Sequence, residues 1–171
     1  MSDSDEKYAS FLAGDAKSLF ALIEEYHMGL SLYLNLVLGD ICDAQDAVQE
    51  TFARLYFKKP RISGGVGFKA WLYGFARRCA EDFANYGKLL SMNYMDEKVS
   101  DDDEELLVSS VLGDGEAAKL YYDLKSISGE PAQMCYLTQI EGFTTRETEF
   151  IMKKHMSDIE ETEEPAPEED E

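Results

Sequence analysis

Three side chains at four-residue spacing, Lys69, Tyr73 and Arg77, have the chemistry to bind a nucleic-acid strand. On a helix, residues at i, i+4 and i+8 lie in one stripe. Two cations around an aromatic ring suit a single strand, because arginine holds phosphate and tyrosine stacks on an unpaired base. Cations on an exposed helix face more often serve solvation alone, and the spacing by itself leaves that alternative open.

The stripe lies in a basic segment of an acidic chain. The 171 residues hold 16 Lys or Arg and 35 Asp or Glu, a formal net charge of -19. This balance opposes non-specific attraction to nucleic acid, which requires clustered cations. Residues 54–88 nevertheless hold eight cations and two acids, a local balance of +6. The segment includes a basic loop, residues 58–67, in which a proline and three glycines exclude a stable helix.

The sequence contains few residues or motifs that could carry out catalysis. Two isolated histidines, with no Gly-rich phosphate loop, nucleophile elbow or metal-ligand motif, predict a protein that is not an enzyme and has no cofactor, metal or catalytic residue. Three cysteines without C-x-x-C spacing predict neither a disulfide framework nor a zinc site. The acidic first residues and the lack of a long apolar run predict a cytoplasmic protein without membrane insertion.

Helices must position these side chains. Apolar periodicity predicts a long helix from an N-cap at Asp15 to a stop at Gly39. The next helix buries a stripe that includes Val48 and Phe52 and turns a polar face outward. A helix over 68–86 buries another stripe, which predicts that the Lys69 stripe faces solvent or a partner.

A second, smaller helical unit follows. The charge run at 101–105 is interpreted as the end of a solvated linker, and Thr144 with Glu147 has the spacing of a capping box that opens a last helix. Residues 158–171 hold nine acids and no base, which predicts disorder. The predicted organisation is a helical domain at 1–90, a linker at 91–105, a helical unit at 106–157 and a tail at 158–171.

Two segments of the first domain have a specific residue pattern. Asp-Ala-Gln-Asp-Ala-Val-Gln-Glu-Thr-Phe at 43–52 and Phe-Lys-Ala-Trp-Leu-Tyr at 68–73 resemble region 2 of bacterial RNA polymerase sigma factors of the extracytoplasmic-function group. The resemblance covers residues 14–83. It implies an all-α fold, in which a sigma region 2 domain is joined by the acidic linker to a small region 4-like unit.

The resemblance also implies site residues. The polar face of the central helix would dock on the clamp helices of the polymerase β′ subunit, and the following loop and helix would open and read the start-proximal promoter element. Trp71 has an equal alternative as a core residue. The implied polymerase contacts are Asp46, Gln49, Glu50 and Arg54. The implied DNA-binding residues are Lys58, Lys59, Arg61, Lys69, Trp71, Tyr73, Arg77 and Arg78.

Departures from the family pattern are equally informative. Family members usually carry a basic residue where Gly74 stands, and a basic cluster where this chain reads Phe-Ala-Asn-Tyr at 83–86. Residues 136–147 resemble the start of sigma region 4. Where its DNA-reading helix should follow, residues 157–164 are acidic, and carboxylates repel phosphate. Region 4 is therefore predicted to be truncated or degenerate.

Two functions follow from this pattern. The first is a divergent sigma factor that binds polymerase core, contacts promoter DNA weakly and takes part in initiation. The second is a sigma-derived regulatory or split-factor module that binds polymerase or a partner without reading promoters. An anti-sigma factor or a second sigma-like subunit is a candidate partner in either case. The acidic tail is a candidate internal mimic of DNA over the basic surface.

Overall fold

The structure, a computed structural model, describes residues 2–91 and 101–153. These residues form an all-α fold with no β-strand, as predicted. A single π-helical turn, Tyr136–Ile140, directly continues the seventh helix. The predicted tail and most of the predicted linker lie outside the described residues. The helices are α1 (Asp3–Leu12), α2 (Ala16–Leu38), α3 (Ile41–Lys58), α4 (Phe68–Ser91), α5 (Asp101–Leu112), α6 (Glu116–Ile127), α7 (Gly129–Cys135) and α8 (Thr145–Met152).

Local signals set the helix ends. The carboxylate of Asp15 accepts a hydrogen bond from the Lys17 amide at 3.1 Å, which caps the start of α2. Gly39 ends α2 in the left-handed conformation, with φ of 81°. Thr144 and Glu147 form the predicted capping box at the start of α8. All three predictions are confirmed.

Helix α2 is the centre of the molecule. Helices α1, α3, α4, α5 and α7 all pack against it. Every residue from Leu30 to Leu36 is consequently buried, on all faces of the helix. The C-terminal helices therefore share one continuous core with the N-terminal four.

The acidic run at 101–105 forms the first turns of α5, so the prediction that it is a solvated linker was wrong for these residues. Glu104 holds this segment against the rest of the protein. Its carboxylate is buried, accepts a hydrogen bond from Asn35 Nδ2 at 2.8 Å and lies 2.6 Å from Lys125 Nζ. A buried carboxylate needs such partners, and these come from α2 and α6.

Buried tyrosines predict a sharp alkaline limit to stability. Burial raises the pKa of Tyr33 from 10.0 to about 12 and shifts the pKa of other core tyrosines, Tyr73 and Tyr136 among them, in the same direction. The folded state therefore holds these protons more tightly than the unfolded chain does. Stability is fully present below the unfolded pKa of 10 and should fall as the pH rises from 10 towards 12.

Thermal unfolding followed by circular dichroism across this pH range, with ultraviolet absorbance of tyrosinate, measures the effect. A core in which Tyr33, Tyr73 and Tyr136 ionise at their ordinary pKa while the chain stays folded would contradict it.

Candidate functional site

The polar face of α3 is exposed. Asp40 caps the helix by accepting hydrogen bonds from the amides of Cys42 and Asp43 at 2.8 and 3.0 Å. The stripe Ala44, Val48, Phe52 and Leu55 is buried against α2 and α4, as its periodicity predicts. The opposite face therefore points to solvent. Its exposed predicted contacts are Asp46, Gln49 and Glu50.

Arg54 is half-buried, unlike the other three predicted polymerase contacts. Its Nε lies 2.9 Å from Glu50 Oε2 and its Nη1 lies 3.2 Å from Asp82 Oδ2. The guanidinium therefore links α3 to α4 while one side of it stays accessible. Asp46 and Glu50 are the charges that this face offers most openly.

A groove of about 530 Å³ runs beside this face, between α2 and α3. His27 borders it, and its Nδ1 forms a hydrogen bond with the Ile23 carbonyl one turn earlier in α2, at 2.9 Å. The groove offers a partner an apolar floor next to Gln49. It is lined by Ile23, Glu24, His27, Ser31, Gln45, Val48, Gln49 and Phe52.

Trp71 belongs to the core. Only 5% of it is exposed, and its ring stacks on Phe75 with centroids 5.1 Å apart and planes 9° from parallel. Tyr8 and Phe68 complete the cluster at 5.8 and 6.1 Å. A ring enclosed in this way has no free face for a base, so the prediction of Trp71 as a DNA contact does not fit this arrangement.

Tyr73 and Arg77 of the Lys69 stripe are buried, so the prediction that the stripe faces solvent or a partner was wrong for these two residues, while Lys69 stays half-exposed. Glu141, directly after the π turn, contacts both Lys69 and Tyr73. The carboxylate accepts hydrogen bonds from Tyr73 Oη at 2.7 Å and Tyr136 Oη at 3.2 Å, and lies 2.9 Å from Lys69 Nζ. Burial, and then the Glu141 charge, raises the pKa of Tyr73 well above its ordinary value.

Arg77 is enclosed by the same unit, with 4% of it exposed. Its Nη1 donates to Tyr33 Oη at 3.1 Å, to Met152 Sδ at 3.4 Å and to the Gln133 side-chain oxygen. Glu81 and Glu130 lie 3.5 and 3.9 Å away and balance its charge. The arginine that was predicted to hold phosphate thus joins α4 to α2, α7 and α8.

Phe150 of α8 explains the glycine at position 74. A Cβ on Gly74 would lie 3.0 Å from Phe150 Cε2, and a Cβ on Gly64 would overlap the same ring. Gly64 also has φ of 83°, a conformation that favours glycine. A basic side chain at 74, usual in the family that the sequence resembles, would have to displace this ring.

The loop cations remain accessible. Lys58, Lys59 and Arg61 are exposed, and Lys59 Nζ lies 5.2 Å above the Phe11 ring. Arg78 is half-buried, with its guanidinium 5.5 Å from the Phe75 ring centroid. Of the eight predicted DNA-binding residues, the three loop cations are therefore the fully exposed ones.

Sequence reasoning missed two aromatic residues beside these cations. Phe57 is 79% exposed and Tyr56 is 44% exposed. They are the two residues before Lys58, and their positions fall outside the apolar stripe of α3. That offset from the stripe is the signal that would have singled them out. With the loop cations they form an exposed tip of basic and aromatic groups.

Comparison with protein families found a match to the N-terminal part of the chain. Residues 22–86 match the family model for sigma-70 region 2. Searches of curated proteins and of solved structures found no match. Residues 22–86 therefore carry a sigma-70 region 2, and the match supports a relationship of the chain to sigma-70 family sigma factors. The same match supports a sigma-factor-like role in RNA polymerase binding and transcription initiation.

The described residues contain neither a candidate membrane-spanning helix nor a candidate metal-ion cluster. None of the helices in ranges 2–91 and 101–153 has the length and apolar character to cross a bilayer. The same ranges contain no group of three or more His, Cys, Asp or Glu placed to hold a metal ion.

Proposed function

We propose that this chain is a sigma-factor-like protein of the extracytoplasmic-function group that binds core RNA polymerase through the exposed face of α3. The observation that carries the proposal is the open polar surface formed by Asp46, Gln49 and Glu50 within the matched region 2. Arg54 adds a cation at the edge of that surface. The β′ clamp helices are the proposed partner.

Promoter contact is proposed to begin at the loop that follows α3. Lys58, Lys59 and Arg61 are exposed there, and the aromatic rings of Tyr56 and Phe57 offer stacking surfaces. This is a small basic surface on a chain of charge -19, so DNA binding should be weak and confined to the start-proximal element.

The second candidate is a sigma-derived regulatory or split-factor module that binds polymerase, or a partner, without reading promoters. The covered stripe favours it, because Lys69, Tyr73 and Arg77 are engaged within the chain. In a split factor, a second sigma-like subunit would supply recognition of the upstream element. An anti-sigma factor would be the matching regulatory partner.

Core binding tests the α3 interface. The double variant Asp46→Lys/Glu50→Lys should weaken binding to purified core polymerase by about 2 kcal/mol or more, roughly thirtyfold, because reversed charges at an interface repel their former partners. Binding is measured by titration of labelled protein into core. The variant keeps the contact between Arg54 and Asp82 that joins α3 to α4.

A matched control is Glu116→Lys/Asp123→Lys, which makes the same change in net charge on exposed positions of α6. It should bind core as the native chain does. Equal binding by both double variants would exclude the α3 face as the interface.

Run-off transcription separates the two candidate functions. A working initiation factor should start transcription with core alone, depend on the start-proximal element and tolerate scrambling of the upstream element. A split factor should stay silent until its second subunit is added. Tight core binding without initiation at any promoter, with or without such a subunit, would support the regulatory module.

A further inference from the structure

We propose that residues 129–152, comprising α7, the π turn and α8, form a displaceable cover over α4, and that its release exposes Lys69, Tyr73 and Arg77 as one surface for single-stranded DNA. The identity of the ligand as DNA rests on the proposed function. The existence of the cover and its competition with an anionic strand stand on the contacts described here.

The cover presents to the stripe the groups that a nucleic-acid backbone would present. Glu141 places a carboxylate 2.9 Å from Lys69 Nζ and accepts from the Tyr73 hydroxyl. Gln133 and Met152 accept from the Arg77 guanidinium. All of these contacts use the donors and charges that would otherwise bind phosphate. A strand and the cover therefore compete for the same side chains.

Phe150 fixes the cover to both elements of the expected DNA surface. Its ring fits between Gly64 in the loop after α3 and Gly74 in the middle of α4. Arg146, one turn earlier in α8, approaches the position of a Cβ on Gly65 to 3.1 Å. While α8 is docked, the loop and α4 are held together and the stripe is closed.

Two features make α8 the weakest part of the cover, from which its release would begin. Helix α8 has eight residues and packs mainly on α4, and an isolated helix of that length is unstable in water. Thr148 is 2% exposed, and its hydroxyl has no hydrogen-bond partner among the described residues. A buried hydroxyl left unpaired weakens the docked state, because it gives up its bonds to water.

Partial closure lowers the apparent affinity for a strand. The measured dissociation constant is the intrinsic constant divided by the open fraction, so opening the cover raises affinity by the same factor. Phe150→Ala should therefore bind a fluorescent single-stranded oligonucleotide roughly tenfold more tightly at low salt. Glu141→Gln should shift affinity the same way by roughly threefold, because it leaves Lys69 available.

The matched control is Glu149→Gln. Glu149 is exposed on α8, the helix that carries Phe150, and its substitution changes net charge by the same amount as Glu141→Gln. It should leave the affinity for the oligonucleotide unchanged. An equal gain from both glutamine variants would show a general charge effect and would overturn the proposal.

Hydrogen exchange of the full chain measures the cover without any ligand. Amides of α8 should exchange faster in Phe150→Ala. In Thr148→Val, which replaces the unpaired hydroxyl with an apolar group of similar shape, they should exchange more slowly. Unchanged exchange in both variants would overturn the cover. Faster exchange without tighter oligonucleotide binding would overturn its competition with DNA.

Core polymerase binding keeps this inference distinct from the proposed function. Phe150→Ala leaves the α3 face intact and should bind core as the native chain does. Loss of core binding only in Asp46→Lys/Glu50→Lys bears on the polymerase interface. Loss of the oligonucleotide response bears on the cover.

Discussion

Replacing Trp71 with alanine should lower the free energy of unfolding by about 4 kcal/mol, a typical loss when a large aromatic side chain is removed from a packed core. Trp71 is 5% exposed and stacks on Phe75, with Tyr8 and Phe68 around it. Removing the indole would leave a cavity between α1 and α4 that fixed helices cannot close. Urea unfolding followed by circular dichroism measures the loss.

The control is Phe57→Ala, since Phe57 is 79% exposed and its removal should change stability by no more than about 0.5 kcal/mol. The two variants also distinguish a core role from a DNA-stacking role. A Trp71→Ala protein that keeps native stability and loses oligonucleotide binding would show that the indole leaves the core and faces DNA.

Replacing Arg77 with alanine should lower the free energy of unfolding by about 3 kcal/mol, the scale for breaking a buried charged network. The guanidinium is 4% exposed and donates to Tyr33, Gln133 and Met152. Its removal would leave the Gln133 oxygen without its donor and the carboxylates of Glu81 and Glu130 without the cation between them. The measurement is again urea unfolding.

Arg78→Ala provides the matched comparison on the same helix. Arg78 is half-buried and lies over the Phe75 ring, so its loss should cost no more than about 1 kcal/mol. Equal effects of the two substitutions would contradict the enclosed position of Arg77. A stable Arg77→Ala protein with weakened oligonucleotide binding would support the earlier expectation of an exposed phosphate contact.

The enclosure of Arg77 gives its substitution a second consequence. Arg77→Ala removes a donor to α7 and α8 as well as a candidate phosphate contact, so it should loosen the cover and weaken the DNA surface together. Phe150→Ala avoids this ambiguity, because Phe150 docks the cover and carries no charge. It is therefore the cleaner variant for separating closure from DNA contact.

The amino-acid sequence by itself determined helices α2, α3, α4 and α8, the caps at Asp15, Gly39 and Thr144, and the open face of α3. These features depend on neighbours within about one helical turn. Asp15 and Gly39 act on adjacent backbone groups, and the stripe of Val48 and Phe52 follows from a period of 3.6 residues. The residue pattern at 43–52 and 68–73 was specific enough to predict the sigma region 2 that the family model matches at residues 22–86.

Only the tertiary structure decided which faces are covered. Helical spacing places Lys69, Tyr73 and Arg77 in one stripe, but it carries no information about the element that packs there. Glu141, the partner of Lys69 and Tyr73, is 68 residues from Tyr73 in the chain. Glu104 is likewise 69 residues from Asn35, and this contact holds against α2 a segment that was expected to be a linker. Contacts of that range depend on the packing of whole helices around α2, which a local pattern does not encode.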